Sequence, residues 1–110
     1  MNTNVSLKNV NITAKEKRYK ITAYCSCRKC TGKYGRMTAS GKLARAKHTV
    51  AVDTRYIKLG TKIKIFNRWY TAEDTGGRVK GRHIDIYMSS HKQVKKFGRK
   101  YLRVKVRYKI

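Results

Sequence analysis

Apolar and polar residues alternate in short stretches along most of the chain, a pattern that indicates β-strands rather than long helices. The alternation is strictest over residues 102–108, where a period of two predicts one buried and one cationic face. The stretches rich in β-branched and aromatic residues predict about six short strands, at residues 19–24, 49–53, 61–66, 69–73, 83–87 and 102–108. Glycine-containing turns separate them, which favours a mainly all-β fold, a small closed barrel or a sandwich.

One segment, residues 90–97, has the signals of a short helix. Ser89 or Ser90 is suited to the N-terminal cap, and Val94 and Phe97 fall on one face. Gly98 stands where a helix commonly stops. The sequence therefore predicts one short, basic helix beside the strands.

The 110 residues suffice for one domain with its own core and are too few for two. Residues 1–18 are polar and weakly patterned, so we expect an N-terminal arm before a domain at residues 19–110. The apolar stretches fall far short of the roughly 18 residues that span a bilayer. The first twenty residues contain no apolar secretory region, so we expect no membrane span and no signal peptide.

Charge indicates an acidic partner. The 29 lysines and arginines against five acids give a net charge of +24, which attracts polyanions over long distances and makes binding sensitive to salt. Nucleic acid is one candidate, although no base-stacking or groove-binding motif is present. Anionic cell-wall polymers are the other. Composition alone leaves both open.

Three of the five acids lie in or beside apolar strands, and we expect them to form one carboxylate cluster. Asp53 follows the apolar strand residues 49–52, Asp74 comes directly after the predicted strand 69–73, and Asp85 lies inside the predicted strand 83–87. Such placement predicts partly buried groups with altered pKa values. The alternative is that they cap turns or pair with nearby arginines and lysines.

Asp85 is the hardest of the three to explain as a structural residue. It shares a strand face with His83 and Tyr87, while Ile84 and Ile86 point to the opposite side. A carboxyl group in such a cleft, near a second carboxylate, has the raised pKa that a general acid needs. Strand alternation turns Glu73 away from Asp74, and we expect Asp74 to be the residue facing the shared site.

These residues belong to a series of short sequence segments along the chain. In their sequence and order, these segments resemble the three-aspartate, or 3D, domain of peptidoglycan lytic transglycosylases and resuscitation-type wall proteins. The resemblance covers residues 19–108. Its segments are TAY at 22–24, TASG at 38–41, TVAVD at 49–53, LGT at 59–61, AEDTGG at 72–77, KG at 80–81, HID at 83–85 and FG at 97–98.

The resemblance implies a double-psi β-barrel catalytic domain at residues 19–110, related to the membrane-bound lytic transglycosylase A type. It also implies cleavage of the bond between N-acetylmuramic acid and N-acetylglucosamine, with Asp85 as acid and base and a 1,6-anhydro product. Asp53 and Asp74 would tune or hold Asp85. Peptidoglycan strands would be the partner, and a phage-released protein or part of a secreted chain would bring the domain to the wall.

The resemblance implies further substrate contacts: Thr22, Tyr24, Thr75, Gly76, Gly77 and Lys80. Lys80 would meet a lactyl or peptide carboxylate, and the glycines would let a sugar approach the backbone. The sequence departs from the family pattern at Thr54 and Lys58, where prolines are common. This departure concerns loop rigidity rather than chemistry.

Cys25, Cys27 and Cys30 form a C-x-C-x-x-C cluster. Three zinc ligands are too few, and His48, the candidate fourth, has a spacing that fits no common zinc module. A disulfide with one thiol left over is a second interpretation. We expect free thiols and therefore neither a metal nor a cofactor.

Other chemistry is less supported by the sequence. A cysteine nucleophile would need His48, His83 or His91 beside it, and no third residue completes such a set. His83 and His91 are expected to face solvent. Trp69 and Tyr70 suit either a sugar-stacking platform or the core. A noncatalytic wall-binding module remains the main alternative to an enzyme.

Overall fold

Residues 12–32 and 35–109 are described by a computed structural model of the chain, with side chains at 16–32 and 35–107. This part contains six strands and two short helices. In chain order they are β1 Ile12–Tyr24, α1 Arg28–Thr31, β2 Thr49–Val52, β3 Lys62–Ile65, β4 Arg68–Asp74, β5 His83–Tyr87, α2 His91–Phe97 and β6 Lys100–Lys109. The predicted all-β class and the number of strands are confirmed.

The six strands close into a barrel in the order β1-β5-β2-β4-β3-β6. Two ladders, β1 with β5 and β2 with β4, are parallel, and the other four are antiparallel. A parallel pair needs a connection that crosses the barrel, since a tight hairpin joins only antiparallel strands. Two such crossings fit the expected double-psi arrangement.

β1 begins earlier than the sequence predicted, at Ile12 rather than Tyr19. Residues 12–21 pair antiparallel with β6, and residues 20–24 pair with β5. β6 is ten residues long and offers a full row of backbone donors and acceptors, so pairing overrides the weak local pattern of residues 12–18. The remainder of the predicted arm, residues 1–11, lies outside the described residues.

The barrel interior is a single apolar cluster contributed by every strand. Its buried members are Tyr19, Ile21, Val50, Val52, Ile57, Ile63, Ile65, Tyr70, Ala72, Ile84, Ile86, Val104 and Val106. The alternation predicted for the last strand holds, because Val104 and Val106 are buried while Arg103, Lys105 and Arg107 are exposed. A second, smaller apolar cluster joins Tyr24, Ala44, Ala51, Val79 and Tyr87.

The predicted helix is confirmed as α2. Ser90 caps it, accepting a hydrogen bond from the Gln93 amide, and the Gln93 side chain accepts one from the Ser90 amide. Gly98 follows the helix at φ 71°, a conformation that favours glycine. α1 was not predicted, because one helical turn leaves no apolar period to detect. Neither described helix is long and apolar enough to cross a membrane.

Candidate active site

Strand register places two of the three aspartates in one row. Asp74 on β4 lies opposite Ala51 on β2, and Ala51 lies opposite Asp85 on β5. On the other side of Asp85 the row continues to Thr22 of β1. Neighbouring strands are about 4.8 Å apart, so the backbones at Asp74 and Asp85 are separated by roughly 10 Å. The small Ala51 between them leaves space above the sheet.

Asp85 is a half-buried acid on β5. Its Oδ1 accepts a hydrogen bond of 2.8 Å from the Thr22 hydroxyl. Burial raises the pKa of Asp85 to about 6, the Thr22 bond opposes that rise, and the charge of Asp74 adds to it. Among residues 16–32 and 35–107, no lysine or arginine forms an ion pair with this carboxyl group.

Thr22 also contacts His83, whose Nε2 lies 2.8 Å from the Thr22 hydroxyl oxygen. The other ring nitrogen, Nδ1, lies 3.2 Å from the carbonyl oxygen of Arg78. Burial, and then the charge of Lys20, lowers the pKa of His83, which keeps the ring neutral near pH 7. His83 is buried, so the expectation of a solvent-facing side chain was wrong. The side chain lies on the same strand face as Asp85, against the loop that contains Arg78.

Asp74 is the second carboxylate at this place. Its Oδ2 accepts a 2.8 Å hydrogen bond from the Tyr24 hydroxyl, and its Oδ1 accepts from the amides of Ala39 and Thr75, both at 2.9 Å. Burial, and then the Asp74 charge, raises the pKa of Tyr24, which therefore stays a hydrogen-bond donor. Asp74 thus joins β4, β1 and the loop at Ala39.

Glu73 points the other way, as strand alternation predicted. It is buried, with Oε1 accepting a 2.7 Å bond from the Thr49 hydroxyl and Oε2 lying 3.3 Å from Nε2 of His48. His48 is thereby placed beside Glu73 and does not join the cysteines. Of the adjacent pair of acids, Asp74 is the one that faces the site.

Asp53 lies in a different environment. The Arg55 side chain donates to both carboxylate oxygens, from Nε at 3.1 Å and from a terminal nitrogen at 2.7 Å, and the Gly81 amide donates at 2.8 Å. The Arg55 guanidinium, followed by the Gly81 amide, holds the pKa of Asp53 well below its usual range. The structure therefore differs from the expected cluster of three, because Asp53 ties the loop that ends at Gly81.

A cleft of about 810 Å³ opens beside Asp74 and Asp85. The residues predicted to contact substrate that line it are Tyr24, Thr75, Gly76, Gly77 and Lys80. Thr22, also predicted to contact substrate, is not among the residues that line the cleft and instead donates a hydrogen bond to Asp85. A Cβ on Gly77 would have no neighbour within 4 Å, whereas one on Gly76 would meet Cγ2 of Val79 at 3.0 Å. The turn thus leaves backbone open to the cleft.

The cysteines lie near the cleft and have a partner that the sequence did not indicate. The sulfurs of Cys25, Cys27 and Cys30 and a ring nitrogen of His91 lie within 4.8 Å of one another. His91 lies 61 to 66 positions after the three cysteines, so local spacing gives no signal. The sequence held one signal for this contact: predicted strands end shortly before Cys25 and before His91. If these two strands pair side by side in parallel, the cysteines and His91 leave the barrel at the same end.

A second cavity, the basic cavity, lies away from the cleft. Arg36, Lys42, Arg45 and Lys62 line a cavity of about 510 Å³. Trp69 lies nearby, outside the cleft, with the Arg107 guanidinium carbon 4.7 Å and the Lys64 ammonium 5.9 Å from its ring centre. Tyr70 is buried in the core, so one of the two aromatic residues is structural.

The barrel and its cleft define the class of protein. A solved structure of the Escherichia coli lytic transglycosylase MltA with bound chitohexaose has the same fold, with a TM-score of 0.55 and 26% sequence identity. The match covers 66% of this chain and 27% of MltA. The chain therefore has the barrel fold found in MltA.

The sequence model described as "3D domain" matches residues 48–107, and the chain belongs to this family. The Bacillus subtilis SPbeta prophage-derived uncharacterized protein YorM is 36% identical over 89 residues, 76% of this chain and 37% of YorM. The cell wall-binding protein YocH of the same organism is 40% identical over 58 residues, 52% of this chain and 20% of YocH. The chain thus spans well under half the length of these relatives.

Proposed function

We propose that the chain is a peptidoglycan lytic transglycosylase that cleaves the β-1,4 bond between N-acetylmuramic acid and N-acetylglucosamine, with Asp85 as the proton carrier. The observation that carries the proposal is a carboxyl group whose burial raises its pKa to about 6 and which has no ion pair among the described side chains, beside an open cleft, in a chain of net charge +24. Near neutral pH such a group is protonated often enough to act as a general acid.

One residue can serve both halves of this reaction. Protonated Asp85 donates its proton to the glycosidic oxygen as the bond from that oxygen to the muramoyl C1 breaks. The carboxylate that remains takes the proton of the muramoyl 6-hydroxyl as O6 bonds to C1. The product is a 1,6-anhydro ring, the acid is restored, and no water needs activation, unlike in glycosidases with two carboxylates.

The hydrogen bonds behind Asp85 change with its protonation. When Asp85 is protonated it can donate to Thr22, which donates to Nε2 of a neutral His83, whose Nδ1–H donates to the Arg78 carbonyl at 3.2 Å. When Asp85 is ionised, Thr22 donates to it, and Nε2 of His83 must carry the proton. Nδ1 of a neutral ring then faces the Arg78 carbonyl without a hydrogen. The Thr22 bond to the ionised carboxylate opposes the effect of burial, so burial and the Asp74 charge account for the raised pKa of Asp85.

Asp74 and Asp53 are positioning residues in this proposal. The charge of Asp74 raises the pKa of Asp85, and its three hydrogen bonds fix Tyr24 and the loop at Ala39 against the cleft. Asp53 acts at a distance by fixing the end of the Gly81 loop, which begins at the cleft. The bound chitohexaose of MltA supports a glycan chain as the occupant of the cleft. Lys80 on the rim would contact a substrate carboxylate.

Digestion of purified peptidoglycan followed by mass spectrometry of the released muropeptides tests the proposal. We expect 1,6-anhydromuramoyl products from the native chain and none from Asp85→Asn. Reducing muramoyl ends would contradict the transglycosylase mechanism, and full activity of Asp85→Asn would contradict the role of Asp85.

A wall-binding module without catalysis is the second candidate. The name of YocH, a cell wall-binding protein, and the four cations of the basic cavity favour attachment to anionic wall polymers. Co-sedimentation with walls that is lost at high salt, without released muropeptides, would support this candidate. Either function places the chain at the cell wall, and the prophage origin of YorM favours a phage-encoded protein.

A further inference from the structure

Two strands deliver four potential metal ligands to one edge of the barrel. β1 and β5 are parallel, with Tyr24 opposite Tyr87, and the Met88 amide donates to the Tyr24 carbonyl at 2.7 Å. The chain therefore leaves both strands at the same end. Cys25 follows β1 directly, and His91 is the first residue of α2, four positions after β5.

The distances within this group resemble the edges of a tetrahedron. The sulfur of Cys25 lies 3.2 Å from that of Cys27 and 3.6 Å from that of Cys30. Nδ1 of His91 lies 3.8 Å, 3.4 Å and 3.6 Å from the sulfurs of Cys25, Cys27 and Cys30. Zinc bonds of about 2.3 Å to sulfur and 2.0 Å to nitrogen give tetrahedral edges of about 3.8 Å between sulfurs and 3.5 Å from sulfur to nitrogen.

We propose that Cys25, Cys27, Cys30 and His91 bind one zinc ion. Four protein ligands leave no open position, so the ion is structural rather than catalytic. This site replaces the free thiols expected from the sequence, and His91 takes the place considered there for His48. The inference is independent of the proposed enzymatic activity.

The backbone around the cysteines supports a compact site. The amides of Cys30 and Thr31 donate to the Cys27 carbonyl, each at 3.0 Å, which forms the single turn of α1 and brings Cys27 and Cys30 to one side. A disulfide is the competing interpretation. It would join two sulfurs and leave a third, and it gives no reason for a ring nitrogen to lie 3.4–3.8 Å from all three.

Zinc at this place would connect the helices to the cleft. Cys30 packs against the apolar cluster of Tyr24, Ala44, Ala51, Val79 and Tyr87, and both Cys30 and Thr31 line the cleft. Neither α1 nor α2 has a fully buried residue, and Cys30 and Phe97 pack against the two apolar clusters while only partly buried. The ion would therefore fix one wall of the cleft and add to the stability of the folded chain.

Metal content and affinity test the proposal. We expect the reduced chain, purified without chelator, to contain one zinc per molecule by elemental mass spectrometry. His91→Ala should weaken zinc affinity by at least about 100-fold, because even loss of a residue that only supports a ligand costs about 10- to 100-fold. Lys92→Ala, an exposed neighbour in α2, is the matched control and should keep full zinc content.

Cobalt substitution adds a readout that does not depend on folding stability. The native chain should show the absorption of tetrahedral cobalt with thiolate charge transfer, and His91→Cys should retain a tetrahedral spectrum with stronger charge transfer. Zinc should raise the thermal midpoint of the chelated native chain and raise that of His91→Ala by less, because stabilisation at a given zinc concentration falls as affinity falls. Substoichiometric metal in reduced protein, or equal zinc affinity in native and His91→Ala chains, would overturn the proposal, as would two cysteines oxidised to a disulfide after anaerobic purification.

Discussion

Asp85 and Asp53 are carboxylates of the same barrel in opposite surroundings. Asp85 is half-buried, with one hydroxyl donor and no ion pair among the residues whose side chains are described, and its pKa is raised to about 6. Asp53 is held by the Arg55 side chain and the Gly81 amide, and its pKa lies well below the usual range. One is suited to carry a proton and the other to hold a loop.

The difference shows how a strongly basic chain keeps one acid reactive. With 29 lysines and arginines, a carboxylate has many potential cationic partners, and Asp53 pairs with Arg55. Asp85 avoids it because its strand neighbours are Ala51 and Thr22, on the two strands that flank β5. The sheet register therefore places no cationic side chain opposite Asp85 on either flanking strand, which net charge alone would not suggest.

The largest effect is expected for Asp85→Asn. Removal of a general acid typically lowers the rate by about 10²- to 10⁴-fold, so release of anhydromuropeptides should fall to background in a fixed-time assay. The amide keeps the size of the side chain and can still accept the Thr22 hydrogen bond. An activity loss of less than about tenfold would remove Asp85 from its proposed role.

The same variant should be more stable than the native chain at high pH, which shows that its inactivity is not misfolding. The folded pKa of Asp85 is raised from 3.8 to about 6, so its contribution to stability is fully present below pH 3.8 and is lost as the pH rises through 6. The side-chain amide of Asp85→Asn does not ionise, so the variant escapes this loss. Urea unfolding at pH 8 should favour the variant by on the order of 2 kcal/mol, and this gain should vanish near pH 3.5.

Asp53→Asn tests the other side of the comparison. Loss of the Arg55 and Gly81 contacts releases the loop at Gly81, and a displacement of about 1 Å near the cleft can cost up to about 100-fold, so we expect a rate reduced by roughly 10- to 100-fold. The alkaline limb of the pH–rate profile should stay where it is in the native chain. If Asp53→Asn shifted the alkaline limb, as expected for a direct neighbour of Asp85, the two environments would not be separate.

The stability of Asp53→Asn has the opposite dependence on pH. A lowered folded pKa means that ionised Asp53 stabilises the fold above its ordinary pKa of 3.8, and that this contribution is lost as the pH falls below 3.8. The denaturant midpoint of Asp53→Asn should therefore lie below that of the native chain at pH 7 and approach it in acid. Arg55→Gln, which keeps the Gly81 bond, should show a smaller deficit.

Asp74→Asn sharpens the comparison by removing a charge near Asp85 while keeping the size of the Asp74 side chain. The Asp74 charge raises the pKa of Asp85, so its removal should lower that pKa and move the alkaline limb of the pH–rate profile to lower pH. Tyr24→Phe is the control, because it removes a hydrogen bond to Asp74 but leaves the charge. The same acidward displacement in Tyr24→Phe would mean that geometry, rather than charge, moves the limb.

Local patterns predicted the elements of the fold well. Strand alternation identified six strands, and Ser90 and Gly98 marked the ends of α2. The early start of β1 could not be predicted, because residues 12–18 become a strand by pairing with β6, more than eighty positions away. Alternation likewise assigned Asp74, rather than Glu73, to the cleft side of β4.

The site required information that no local window holds. The burial of His83 follows from the loop at Arg78, and the proximity of His91 to the cysteines follows from the parallel pairing of β1 and β5. The capture of Asp53 by Arg55, two residues away, was visible as an alternative in the sequence. Whether Asp53 pairs with Arg55 or faces the cleft also depends on the Gly81 amide, which donates to Asp53 only because the fold brings it there.

The smallest expected effect, and the one of opposite sign, is that of Thr22→Val. The Thr22 hydroxyl donates to Asp85 and so lowers its pKa; without it, the pKa should rise and the alkaline limb should move to higher pH, against the direction expected for Asp74→Asn. Because valine has nearly the shape of threonine, the rate at low pH should change little. Thr71→Val, whose hydroxyl binds Lys62 away from the cleft, is the matched control and should leave the profile unchanged. If both Thr22→Val and Asp74→Asn moved the limb the same way, the balance of burial, charge and hydrogen bonding assigned to Asp85 would be incorrect.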